Sequence, residues 1–203
     1  MLNRLRRLVK DISRIETYLS GVSVQSYNIQ QQLNRQLLLE GRMACWHLRQ
    51  IKSIETVADV EFRICSQWGE DGIIEWLIQN LPDTKTTFVE FGVENYQEAN
   101  TRFLLQNRNW RGLVMDGNPD YMATVSHEEI YWRYDLKAVS AFITRENINS
   151  LLAVNGFAGD IGLLSIDIDG NDYWVLDAIR ETSASILICE YNPILGDRFA
   201  ITV

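Results

Sequence analysis

The sequence predicts an α/β protein built on a doubly wound, mostly parallel sheet, preceded by a helical or coiled-coil extension. Three observations carry this. From about residue 66, short β-rich runs alternate with helical stretches. The strand candidates are near-continuous apolar runs, as expected of strands covered on both faces. Before residue 46, apolar residues recur at heptad spacing instead.

Residues 1–45 are read as the extension. Leu5, Leu8, Ile12, Ile15, Leu19, Val22, Ile29 and Leu33 follow a 3-4 spacing, with Ser26 as the one polar occupant and Gly21 as a weak point. Such a stripe suits a helix packed on its own domain or an oligomerisation helix that makes the chain a homo-oligomer. The arginine-rich first turns also suit an anionic membrane surface.

Residues 46–203 hold the α/β part. Residues 72–80 (GIIEWLIQN) have helix spacing and stop at Leu81-Pro82-Asp83. Residues 86–93 (TTFVEFGV) predict the first strand and residues 98–107 a helix. Residues 111–116 (RGLVMD) predict a second strand, and the β-branched and aromatic run 130–134 a third. A helix over 140–154, a fourth strand over 161–169 (IGLLSIDID), a helix over 172–180 and a fifth strand over 184–191 (ASILICEY) complete the series. Trp68, Trp76, Trp110, Trp132 and Trp174 read as core, with Trp46 at the junction to the extension.

Composition narrows the function. The chain is 46% hydrophobic and 23% charged, which suits a folded domain. Its net charge of −8 disfavours nucleic-acid binding. The charge is uneven: residues 1–45 carry seven Lys/Arg against three acids, and the remainder twelve against twenty-four. Three separated cysteines and two histidines leave no disulfide framework, zinc pattern or multi-histidine metal site. No apolar run is long enough for a membrane span, and Lys10, Asp11 and Arg14 interrupt any signal-peptide core. These features together read as a cytoplasmic protein.

In a doubly wound sheet, ligands bind outside the carboxyl ends of the strands. The predicted ends carry Glu90, Gly92, Glu94 and Asn100 with Thr101, then Asp116 with Asn118, then Asp135, then Asp167 and Asp169, then Glu190. Asp116, one strand-helix-strand step after Glu90, can accept both hydroxyls of a ribose. Gly92 lets backbone approach a ligand closely. Yet the first loop, Gly92-Val93-Glu94-Asn95-Tyr96-Gln97, has one glycine and an acid that repels phosphate, which disfavours a dinucleotide or nucleotide-sugar. A cofactor with ribose and adenine but no phosphate suits it better, and S-adenosylmethionine (SAM) is that cofactor.

The blocks Ser66-Gln67-Trp68-Gly69-Glu70-Asp71-Gly72, Phe88-Val89-Glu90-Phe91-Gly92-Val93, Asn100-Thr101 with Phe103-Leu104-Leu105, Trp110-Arg111-Gly112-Leu113-Val114, and Ile166-Asp167-Ile168-Asp169-Gly170 resemble the FkbM-type SAM-dependent methyltransferases, over about residues 64–195. The resemblance implies a Rossmann-like class I methyltransferase fold. It implies SAM near Gln67, Glu90, Gly92, Asn100, Asp116, Asn118, Asp135 and Asp167. It also implies O-methylation of a sugar, glycan or natural-product hydroxyl. The chain departs from the pattern at Tyr96, where the usual loop has a second glycine, and at Asp169, where the family has glutamate. A class I sheet has seven strands and five are predicted here. The apolar close Phe199-Ala200-Ile201-Thr202-Val203 therefore suggests a sheet incomplete at its C-terminal end, in a fragment or in a chain completed by a partner.

An alcohol acceptor must lose its proton, and Asp169, Asp167 and His127 are the candidate bases in that order. The run from Asp167 to Ala178 lacks the glycine and glutamate of a calcium-binding EF-hand loop, although Asp167, Asp169 and Glu190 could form a looser divalent site. The competing reading is a non-catalytic SAM-binding or structural module that assembles through its N-terminal helix.

Overall fold

The computed structural model describes residues 2–191 together with Ile194 and Gly196, with side chains described for Lys10, from Arg14 to Tyr191 and for Ile194. The side chains of Leu5, Leu8 and Ile12 and the apolar close 199–203 lie outside the described residues. The chain divides into two compact units, residues 1–40 and 41–203.

The first unit is the larger part of one helix, α1 (Leu2–Leu48), which runs through Gly21 without a break. Its apolar stripe is solvent-exposed: Ile15, Leu19, Val22, Ile29 and Leu33 all lie open. Among the described residues, no helix is long and apolar enough to cross a membrane.

The second unit begins with the last turns of α1, where Cys45 and Leu48 are buried. Then follow a short 3-10 turn (Val57–Val60), α2 (Glu70–Asn80), β1 (Thr87–Phe91), α3 (Arg102–Arg108), β2 (Arg111–Asp116), α4 (Pro119–His127), α5 (Glu129–Arg133), β3 (Leu136–Ser140), α6 (Ile148–Asn155), β4 (Gly159–Ile166), α7 (Asp172–Ala178) and β5 (Thr182–Cys189). The five strands form one sheet in the order β3-β2-β1-β4-β5, every neighbouring pair parallel.

Two apolar clusters sandwich the sheet. Phe88 and Val114 point to one face and meet Ile74 of α2, Leu104 and Leu105 of α3, and Met122 and Val125 of α4. Val89, Phe91, Leu113 and Met115 point to the other and meet Ile148 and Leu152 of α6 and Val175 of α7. The alternation along β1 and β2 feeds both layers, so the central strands have no room for polar side chains other than at their ends.

The predicted third strand is a correction. Residues 130–134 have β-type composition but form α5, with Ile130 buried, Trp132 exposed and an Arg133–Glu129 pair at 2.7 Å one turn apart. The true β3 follows at Leu136–Ser140, an edge strand that is only half-buried and carries Lys137. The helix α4 was not predicted, although Asn118-Pro119 is a start signal: the Asn118 side chain accepts from the Asp120 N–H and Pro119 stands at the first helical position. The predicted helix over 140–154 shrinks to α6, because 141–147 is a loop tied by Asn147 to Thr144 and Phe142. Of the tryptophans expected in the core, Trp110 is buried, whereas Trp68, Trp132 and Trp174 are exposed.

Candidate functional site

The strand order reverses direction between β1 and β4, so the loops leaving these two strands part and open a crevice at their carboxyl ends. A cavity of about 1000 Å³ lies there. Its wall comes from the loop before α2, the β1–α3 loop, the ends of β2 and β3, the β4–α7 loop and the end of β5.

The β1–α3 loop is held from below by Glu90. This side chain is buried and accepts hydrogen bonds from the Asn100 N–H at 2.8 Å, the Thr101 N–H at 3.0 Å and the Thr101 hydroxyl. It thereby supplies the start of α3 with acceptors that the chain itself lacks there. Burial pushes the Glu90 carboxyl up to about 7, against the lowering effect of the Thr101 and Asn100 bonds, and nearby Asp71 adds to the rise. The Asn100 amide donates to the Ser165 hydroxyl of β4 at 3.1 Å, which ties the loop across the crevice.

Tyr96 sits where a second glycine was expected. Its backbone has φ of 60°, its ring is fully buried, and its hydroxyl lies 2.9 Å from the Thr101 hydroxyl. The left-handed turn is thus retained without glycine, and burial of the tyrosine offsets the backbone cost. Arg102 donates to the Tyr96 carbonyl at 2.7 Å and braces the same turn.

Gly92 directly follows β1, with φ of 72°, and lines the cavity. The close approach it permits is to protein: a Cβ there would fall on the carbonyl oxygen of Asp167. Asp116 ends β2, and both its oxygens bind backbone, one taking the Glu94 N–H at 2.9 Å and the other the Asn118 N–H at 2.7 Å. Phe142, exposed on the loop after β3, packs over Gly117 beside Asp116.

The loop after β4 is shaped by Asp172, which accepts from the N–H groups of Ile168 and Gly170. Asp169 has φ of 53° in this turn. Carboxylate oxygens of Asp167, Asp169 and Glu190 all lie within 4.8 Å of one another, in a geometry that could hold a cation. Partial desolvation pushes the Asp167 carboxyl up to about 6, and the charges of Glu190, Asp172, Asp169 and Glu94 push the same way.

The loop before α2 is locked by Asp71, which accepts from the N–H groups of Ile64, Cys65 and Ser66 and from the Ser66 hydroxyl. This turns Gln67, Trp68 and Glu70 toward the cavity. The wall therefore carries Glu70, Glu90, Glu94, Glu98, Asp116, Asp167, Asp169 and Glu190, with no Lys, Arg or His among the described residues that line it.

Of the residues singled out from sequence, Gln67, Glu90, Gly92, Asn100, Asp116, Asp167 and Asp169 line this cavity. Three do not. Asn118 caps α4. His127 ends α4, exposed, with Nδ1 2.6 Å from the Ala123 carbonyl. Asp135 precedes β3 rather than ending a strand, because the strand lies later than predicted; it stands at the opposite edge of the sheet, 3.9 Å from Arg111 at the start of β2. Sequence reasoning missed Phe142 for the same reason: with β3 at its true position, Phe142 falls just past a strand end. Tyr191 and Trp68 also line the wall unforeseen. No family model matches the sequence, and no curated protein was found that matches it.

Proposed function

We propose that the chain is a SAM-dependent methyltransferase of the class I type, acting on a hydroxyl oxygen of a sugar, glycan or other small acceptor. The observation that carries this reading is the charge of the cavity. Among the described residues, eight carboxylate side chains and no cationic one line a crevice between β1 and β4. Such a wall repels the pyrophosphate of a dinucleotide and attracts the sulfonium and ammonium groups of SAM.

The donor set fits that cofactor. Each Asp116 oxygen keeps a lone pair after serving Glu94 or Asn118, so the pair can accept from ribose hydroxyls. Phe142 beside Gly117 offers an apolar face for a purine ring. Glu94 and Asp167 add negative charge to the wall of the same cavity. When bound, SAM supplies an electrophilic methyl carbon.

The remaining work falls to the chain. The cavity walls would position the acceptor oxygen for transfer, which is the larger part of such catalysis. Asp167, whose carboxyl is pushed up to about 6, is the base: its carboxylate would take the proton that the acceptor hydroxyl gives up. Asp169, adjacent on the same wall, hydrogen-bonds the acceptor.

Thermal unfolding in the presence of SAM or its demethylated product tests the reading. A concentration-dependent rise in Tm is expected, and its loss in Asp116→Asn. A folded wild-type protein that neither compound stabilises overturns it.

A further inference from the structure

We infer that α1 assembles this protein into a parallel, in-register homo-oligomer of more than two chains. The inference concerns the first unit and stands apart from the reaction.

At 1.5 Å per residue, the 47 residues of α1 extend about 70 Å. Within one chain the heptad stripe stays uncovered: Ile15, Leu19, Val22, Ile29 and Leu33 are 45–59% exposed. A strict 3-4 repeat is a seam for other helices, because 3.5-residue periodicity keeps the same face turned to a supercoiled partner. A helix that lies on a globular surface needs a broader stripe at period 3.6.

The polar core position selects both partner and direction. With Leu19 and Leu33 at heptad position a, and Ile15, Val22 and Ile29 at d, Ser26 occupies a. In an antiparallel pair every a residue faces a d residue. Ser26 would then face Leu8, Ile15, Val22 or Ile29, unless the helices slid until only their second halves overlapped. In a parallel, in-register assembly of identical chains each layer repeats one residue. Ser26 hydroxyls then meet each other and the apolar layers stay apolar, the way a polar a residue fixes register. A second copy of this chain is therefore the partner that fits.

The same positions select the stoichiometry. Parallel dimers favour β-branched residues at a and leucine at d; here leucine holds three of the five a positions, with Ile12 and Ser26 the others, and β-branched residues hold three of the four d positions, with Leu8 the other. Leucine at a with β-branched residues at d favours three or four helices. The flanking e and g positions include Tyr18 and Leu37, exposed apolar side chains that widen the seam as a larger bundle requires.

One feature of the register supplies a sharp test. In a parallel bundle, g of one chain opposes e of the next heptad on its neighbour. This sets Asp11 at g against Glu16 at e, a like-charge pair. Replacing Glu16 by lysine turns repulsion into attraction. In an antiparallel bundle e opposes e, so Glu16 meets its own copy, Ser23, Gln30 or Leu37 in the four registers above, and a lysine there gains no acidic partner.

The experiment is sedimentation equilibrium on the full chain, with wild type, Leu19→Glu/Ile29→Glu and Glu16→Lys. The wild-type mass should correspond to three or four chains. The double variant should sediment as a single chain, with the near-UV circular dichroism of the α/β unit unchanged because neither residue is buried. Glu16→Lys should lower the dissociation midpoint concentration several-fold. A wild-type mass of one or two chains, a mass unmoved by the double variant, or a neutral Glu16→Lys would each overturn the inference.

Discussion

The carbonyl oxygen of Asp167 lies 1.5 Å from the point that a Cβ on Gly92 would occupy. The end of β1 meets the end of β4 through bare backbone, and this contact fixes the floor of the crevice. Gly92 also has φ of 72°, where a side chain is strained even without the clash. Gly92→Ala should therefore cost about 2–4 kcal/mol, a backbone collision added to a conformational cost. Urea unfolding reads the loss directly; a midpoint equal to wild type would mean that the two loops separate freely.

Glu90 makes stability depend on pH. Burial holds its carboxyl at about 7, above the ordinary 4.5. Between these values the folded chain binds the proton and the unfolded chain does not, so the folded state loses ground as pH rises. The contribution is fully present below the unfolded value and is lost as pH rises through about 7. Linkage over that interval amounts to about 3 kcal/mol. Glu90→Gln removes the titration but turns an amide toward the Thr101 N–H, so the variant starts less stable. The stability advantage of wild type over Glu90→Gln should shrink from about pH 5 to about pH 8. A constant difference across that range would show that Glu90 does not titrate there.

Legibility from sequence followed apolar content. β1, β2 and β4 were readable because their residues are near-continuous apolar runs that the sheet covers on both faces. β5 was readable from the same apolar composition, although it is an edge strand in which Ile186 alone is buried. β3 was not, because an edge strand with Lys137 and half-buried neighbours carries little hydrophobic signal, while 130–134 imitates a strand in composition. That one error moved Asp135 into the site and left Phe142 out of it. The acids at the other strand ends were readable as a group because topology alone brings strand ends together. Their partners were not. That Glu90 serves the start of α3, and that Gly92 makes room for Asp167 rather than a ligand, depends on contacts across ten to seventy-five residues of sequence. No local pattern encodes those.

The proposed base gives the reaction a pH profile. Asp167 must be ionised to take the acceptor proton, and its carboxyl is pushed up to about 6, first by desolvation and then by Glu190, Asp172, Asp169 and Glu94. Transfer should rise with pH through about 6 and level off above it. Glu190 is the foremost of the raising charges, so Glu190→Gln should shift the midpoint downward, toward the ordinary carboxylate range. Asp167→Asn keeps the size of the side chain but accepts no proton and removes one negative charge from the cavity; it should lose roughly 100-fold or more in transfer rate, well beyond the loss of SAM affinity that the missing charge brings. Single-turnover rates against pH, with SAM affinity measured by calorimetry on the same preparations, separate these effects. A Glu190→Gln midpoint that does not move, or an Asp167→Asn rate close to wild type, would remove Asp167 as the base and leave Asp169 to be tested in its place.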